Sequence, residues 1–181
     1  MRPWEIIQKL ETDNSRLFKE SVVADNIISE EFTVGLQYAL DSLVTFGVQQ
    51  VPFSEADGKG LLDKEFYAVA DKLVARELTG HAARDAIQEL CDTATNEQWN
   101  DWYRRILIKD LRCGVSVKTV NGVAKGTVPV FGCMLAHDGA KHPKKIKGEC
   151  LVEYKYDGVR VIAIVQNGSA TLYSRNGKLL S

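Results

Sequence analysis

A mainly α N-terminal helical domain followed by an incomplete β-rich segment, α+β in character, is the fold class the sequence predicts. Three observations carry that expectation. Apolar residues recur at helical spacing through the first 125 positions, Gly and Pro break the pattern over 126–148, and from Glu149 the period becomes two. The 181 residues, 45% hydrophobic and 26% charged, make one domain or one domain with a piece of another. Such a composition excludes wholesale disorder, and fourteen Gly with four Pro exclude a collagen-like or low-complexity chain.

Pro3 suits a first helical turn, with Trp4, Ile6, Ile7 and Leu10 as the apolar stripe. Asn14 or Ser15 caps a second helix carrying Leu17, Phe18, Val22 and Val23. A third runs through Phe32, Leu36, Leu40, Leu43 and Val44 and stops at Gly47. Residues 48–60, with Pro52 and the Asp57-Gly58 and Lys59-Gly60 pairs, read as a loop. A long helix with Phe66, Val69, Ala70, Leu73 and Val74 on one face ends at Gly80. The next spans 82–91 and turns Ala83, Ile87, Leu90 and Cys91 inward. Asn96 caps a helix holding Trp99, Trp102, Tyr103, Ile106 and Leu107, and a short helix from Ser116 to about Ala124 closes the set. These stripes are core-forming positions rather than ligand contacts.

Residues 126–148 are expected to be a linker between the helical domain, 1–125, and a β-rich segment, 149–181. Strands are expected at 150–156, 159–165 and 170–175, with Asp157-Gly158 and Asn167-Gly168 as hairpin turns whose residues favour positive φ. Three short strands cannot build their own core, so the chain is expected to be the front part of a longer protein. No apolar run approaches the roughly 18–20 residues of a membrane span, and no leader pattern opens the chain. A soluble, unexported protein is the expectation. Cys91, Cys113, Cys133 and Cys150 lack CxxC or Cys/His spacing, which points to free thiols rather than zinc ligands or a disulfide framework.

The net charge of −1 conceals a division. Residues 1–100 carry 9 Lys+Arg against 18 Asp+Glu, whereas 101–181 carry 14 against 6. The basic residues are grouped as Arg104, Arg105, Lys109, Arg112, Lys118 and Lys125, then Lys141, Lys144, Lys145 and Lys147. A polyanion is the partner such a half invites, although solvated faces carry similar runs.

The chemistry-bearing string is Glu153-Tyr154-Lys155-Tyr156-Asp157-Gly158-Val159-Arg160. It contains Lys-x-Asp-Gly-x-Arg, the nucleophile motif of covalent nucleotidyltransferases. A lysine at a strand end beside a glycine turn projects its amine into a cleft, and Gly158 leaves room for phosphates. Arg160 can reach back to nucleotide oxygens with its planar fork. Glu153 shares a strand face with Lys155. The same residues also make an ordinary hairpin with cross-strand charge pairs, so the string alone leaves both readings open.

Further segments narrow the choice. Gly35-Leu36-Gln37-Tyr38, Arg76-Glu77-Leu78-Thr79-Gly80 with Ala82-Ala83, and Lys109-Asp110-Leu111-Arg112-Cys113-Gly114-Val115-Ser116 precede the motif. Cys133-Met134-Leu135-Ala136 stands just before it and Ser174-Arg175-Asn176-Gly177 after it. In these ordered pieces the chain resembles the ATP-dependent DNA ligases, most closely the compact T-even phage type. The resemblance implies an N-terminal helical DNA-binding domain plus the first part of a nucleotidyltransferase (adenylation) domain.

It further implies ATP and Mg²⁺ as cofactors, Lys155 as the residue that becomes lysyl-AMP, and Glu153 facing the adenine. Arg160 and Arg175 would hold the nucleotide or the nick 5′-phosphate. Arg112, Gly114, Ser116, Lys118 and Thr119 would contact DNA; Gly114 and Ser116 open a helix whose free N–H groups suit a phosphate. No metal ligand is expected within this chain. The implied partner is nicked double-stranded DNA, met by a monomer in the cytoplasm of a phage-infected cell, in replication, repair or recombination. The family's further carboxylates, lysines and OB-type domain follow the second motif, so the chain alone is expected not to complete catalysis. An RNA ligase or capping guanylyltransferase shares Lys-x-Asp-Gly, but such relatives usually lack the helical domain and the 110–116 segment. A noncatalytic DNA-binding module is the remaining alternative.

Overall fold

The computed structural model describes residues 1–133, 138–151, 153–154 and 157–180. The chain divides into two units, Met1–Val130 and Phe131–Ser181.

The first unit is helical. Its elements are α1 (Pro3–Glu11), α2 (Arg16–Asn26), α3 (Glu30–Leu40), α4 (Asp63–Val74) and α5 (Gly80–Thr93). A further helix, α6 (96–107), joins α-helical Asn96–Gln98 and Arg104–Leu107 through a π-helical turn, Trp99–Tyr103. The last is α7 (Val117–Val123). Ser15, Ser29, Thr95 and Ser116 each cap the helix that follows by accepting a backbone N–H, the commonest solution for orphan donors at a helix start. Thr95 thus takes the capping place expected of Asn96.

The expected stripes meet in one core. Ile6, Ile7, Leu10, Phe32, Leu36, Phe66, Leu73, Ile87, Trp99, Trp102, Tyr103 and Ile106 are fully buried. Trp102 stacks on Phe32 at 5.8 Å between ring centroids, and Phe66 lies 4.4 Å from Tyr103. Gly35 makes room for this: a Cβ there would fall 2.0 Å from the Trp102 ring. Loop 48–60 is pinned by the polar side of α6. Trp99 Nε1 donates to Pro52 O at 2.8 Å, Asn100 exchanges hydrogen bonds with the Ser54 backbone, and Gln98 holds both Leu61 backbone groups.

Four expectations are corrected. Leu17 is 76% exposed, because α2 buries Lys19, Val22 and Val23 instead. Helix α3 ends at Leu40 rather than near Gly47. The Asp41 carboxylate turns back to accept the Leu43 N–H at 2.8 Å, and Lys109 Nζ takes the Tyr38 and Asp41 carbonyls. Helix α4 stops at Val74, six residues before Gly80. Arg76 adopts φ +63°, with Arg76 N–H donating to Leu73 O and Glu77 N–H to Lys72 O, which is a Schellman closure, and Gly80 opens α5 instead. The strand expected at 150–156 is absent among its described residues Cys150, Leu151, Glu153 and Tyr154; Val152, Lys155 and Tyr156 lie outside the described residues. Gly158 does not take the positive φ that a two-residue hairpin turn there requires.

In the second unit, 3₁₀ turns Gly139–Lys141 and Pro143–Lys145 precede a hairpin of β1 (Val161–Gln166) and β2 (Ser169–Ser174). The strands are antiparallel, with Val161 opposite Ser174 and Gln166 opposite Ser169. Asn167 at φ +50° and Gly168 at φ +79° form the connecting turn, as the sequence predicts. Most of the hairpin is exposed.

Candidate nucleic-acid and nucleotide-binding sites

In the helical unit the segment 110–116 alternates like a strand without pairing as one. Leu111, Cys113 and Val115 are buried; Arg112, Gly114 and Ser116 face outward. Asp110 starts the turn by accepting the Arg112 N–H at 2.9 Å. Arg112 follows at φ +55°, exposed, with its guanidinium 3.9 Å from Asp110. Ser116 then caps α7, and Thr119 returns the favour through a side-chain contact of 3.1 Å between the two hydroxyls. Lys118 is exposed on the first turn of α7. Arg112, Gly114, Ser116 and Lys118 are therefore all exposed, while Thr119 is half-buried and engaged in the cap.

The rest of the expected basic group divides sharply. Arg105 is buried and donates to Glu11 at 2.5 Å, Asp101 at 2.7 Å, and the Asn100 and Leu111 carbonyls. Arg104, also buried, lies 3.6 Å from the centroid of Phe53 and donates to Val51 O. Lys109 binds the Tyr38 and Asp41 carbonyls at 2.7 and 2.6 Å, and burial lowers its pKa to about 8 against the opposing pull of Asp41. These three cations hold the fold and are taken from the interface that charge counting assembled. Burial likewise pushes the Cys113 thiol up.

Charge patterning overlooked Lys19. It is only 5% exposed and lies under the same segment: a Cβ on Gly114, whose φ is +69°, would sit 2.4 Å from Lys19 Nζ. The sequence signal was available in its spacing, three before Val22 and four before Val23, on the buried face of α2.

In the second unit Lys155 lies outside the described residues. Glu153 is exposed. Arg160 immediately precedes β1 and Arg175 immediately follows β2. Since Val161 faces Ser174, the two arginines leave the hairpin side by side at its open end. Arg160 Nη1 stands 3.8 Å from Cys133 Sγ. Arg175 sits in a tight turn in which Gly177 N–H donates to Ser174 O at 3.0 Å and Ser174 N–H to Lys178 O at 2.7 Å. Phe131 packs against Tyr173 and over Gly177, bracing that turn. Opposed like charges disfavour a strand end unless an anion lies between them. Two forked guanidiniums at one end of a hairpin suit a phosphate.

No protein-family model matches the chain. Curated relatives do: the DNA ligases of Enterobacteria phages T4 and T6 are each 30% identical over 152 residues, 82% of this chain. Two solved structures, named "Pmar-Lig_Pre." and "Pmar-Lig_PreS3", superpose with TM-scores of 0.90 at 47% and 48% identity over 99% of this chain. By sequence and fold the chain is thus a relative of DNA ligases. Its particular likeness is to the T-even phage type. It spans 30% of the length of those phage ligases and 43% of the two solved chains.

Proposed function

We propose that the chain is the N-terminal part of an ATP-dependent DNA ligase that seals nicks through a lysyl-AMP intermediate. The observation that carries this is the pairing of Arg160 with Arg175 at one end of the hairpin, in the two segments that flank the nucleophile motif. Likeness to phage DNA ligases over 82% of the chain supports it.

In this reading Lys155 is the nucleophile. A free lysine amine titrates near 10.4, so Lys155 must lose its proton before it attacks the α-phosphate of ATP. The new N–P bond forms as the bond to pyrophosphate breaks; Mg²⁺ supplies charge neutralisation for that leaving group. The AMP then passes to a nick 5′-phosphate, and the 3′-hydroxyl displaces it to seal the strand. Arg160 and Arg175 bind phosphoryl oxygens through these transfers, and Glu153 accepts from the adenine amino group. Arg112, Gly114, Ser116, Lys118 and Thr119 contact the duplex backbone, which fixes register without reading sequence.

The test has two arms. The chain is expected to bind nicked duplex in preference to single-stranded RNA, with affinity falling steeply as salt rises. In the protein at the length of its relatives, α-labelled ATP is expected to label Lys155 covalently. Equal affinity for RNA ends would favour an RNA-joining enzyme, and DNA binding without labelling at full length would favour a noncatalytic binding module.

A further inference from the structure

Lysine is rarely buried without a carboxylate partner, because removing an ammonium from water costs far more than one neutral hydrogen bond returns. Lys19 is such a case. Its amine donates to Asn14 Oδ1 at 2.9 Å, and among the described residues no carboxylate lies within ion-pairing distance of it. The acidic group nearest in chain order on the neighbouring helix, Glu11, is taken by Arg105 at 2.5 Å. Helix α2 packs directly on α7, so the buried ammonium stands beneath the turn that runs into that helix.

We propose that Lys19 is a positioning residue for a DNA-phosphate contact at Arg112–Ser116. It props the turn from below at Gly114, where no side chain could fit, and its positive charge is balanced only when a backbone phosphate arrives above. Gly114 serves both purposes. It takes φ +69° without strain and brings the backbone N–H groups close to the cation beneath. The inference rests on the ligase reading, and deepens it by naming a residue with no surface of its own as part of the interface.

The experiment measures affinity of the 181-residue chain for nicked duplex between about 50 and 200 mM salt. The variants are Lys19→Met, Lys19→Gln, which keeps the bond to Asn14, and Lys64→Met, which removes an exposed charge from α4. Circular dichroism confirms that each is folded at the temperature used. Both Lys19 variants are expected to bind roughly tenfold more weakly at 100 mM salt, with a log–log salt slope shallower by about 1. Their thermal midpoints are expected to equal or exceed the wild type, and Lys64→Met to bind normally. Unchanged affinity in both Lys19 variants, or weaker binding with an unchanged slope, overturns the proposal by making Lys19 merely structural. A wild-type chain that ignores nicked duplex overturns the ligase reading itself, and this inference with it.

Discussion

The helical and β units invest their side chains differently. In the helical unit, three tryptophan and tyrosine rings of a single π-helical turn, Trp99, Trp102 and Tyr103, are buried to the last few per cent, and α6 clasps loop 48–60 with four side chains. In the β unit, two six-residue strands expose most of their residues, and Phe131 on Tyr173 is the main aromatic contact. Fold stability thus resides in one unit, while the residues proposed for chemistry stand on the other. A substitution that destroys one property should leave the other nearly intact.

The widest separation is expected at Lys155. Lys155→Arg keeps the charge but raises the amine's resistance to deprotonation, and at the length of the relatives it should reduce sealing by at least roughly 10⁴-fold. The thermal midpoint should stay within a degree or two. Sealing at the normal rate would break the functional half of the contrast. Trp102→Ala is the converse. It empties a fully buried site stacked on Phe32 and should cost about 3–5 kcal/mol in urea unfolding of the helical unit. A cost below about 1 kcal/mol would mean that the core is not centred where the π-helical turn places it.

Much of the helical unit was legible because burial there follows a period the sequence repeats. The stripes of α1, α4, α5 and α6 need only count apolar residues at three- and four-residue spacing. What escaped was set by side chains acting over long sequence distances. Lys109 ends α3 by binding carbonyls 71 and 68 residues away, which no local rule at Gly47 could reveal. Arg76 closes α4 in a conformation that favours glycine, so the true glycine at position 80 misled. The candidate sites were legible as motifs rather than as geometry. Arg160 and Arg175 were named from the sequence, but their adjacency depends on the register of β1 against β2. Charge counting failed where cations work inward, as Arg104, Arg105 and Lys19 do.

Those inward cations sharpen the contrast on a smaller scale. Arg105→Met strands Glu11, Asp101 and two carbonyls, and should destabilise the helical unit by about 2–4 kcal/mol. Arg175→Met in the exposed turn should change stability by less than about 0.5 kcal/mol. Lys109 adds a pH signature. Unfolded, it holds its proton to 10.5, whereas folded it does so only to about 8. Between those values the unfolded chain binds more protons, so this group makes stability rise with pH over the window. Lys109→Met should remove that rise, seen as a wild-type advantage in urea unfolding that grows from pH 8 to pH 10. A difference independent of pH would mean that the amine is not desolvated in the fold.

The smallest effect is expected at the hairpin turn and tests whether the β unit is as lightly held as its exposure implies. Asn167 sits at φ +50°, where asparagine is tolerated and alanine is strained by about 1 kcal/mol. Asn167→Ala should therefore speed amide exchange in β1 and β2 by roughly fivefold, and Asn167→Gly should not. The exchange of core amides in α3 and α6 should not move, because the turn and those helices belong to different units. Slower exchange at both places after Asn167→Ala, or faster exchange at both, would show that the two units unfold together, and the contrast between a stable unit and a working one would have to be abandoned.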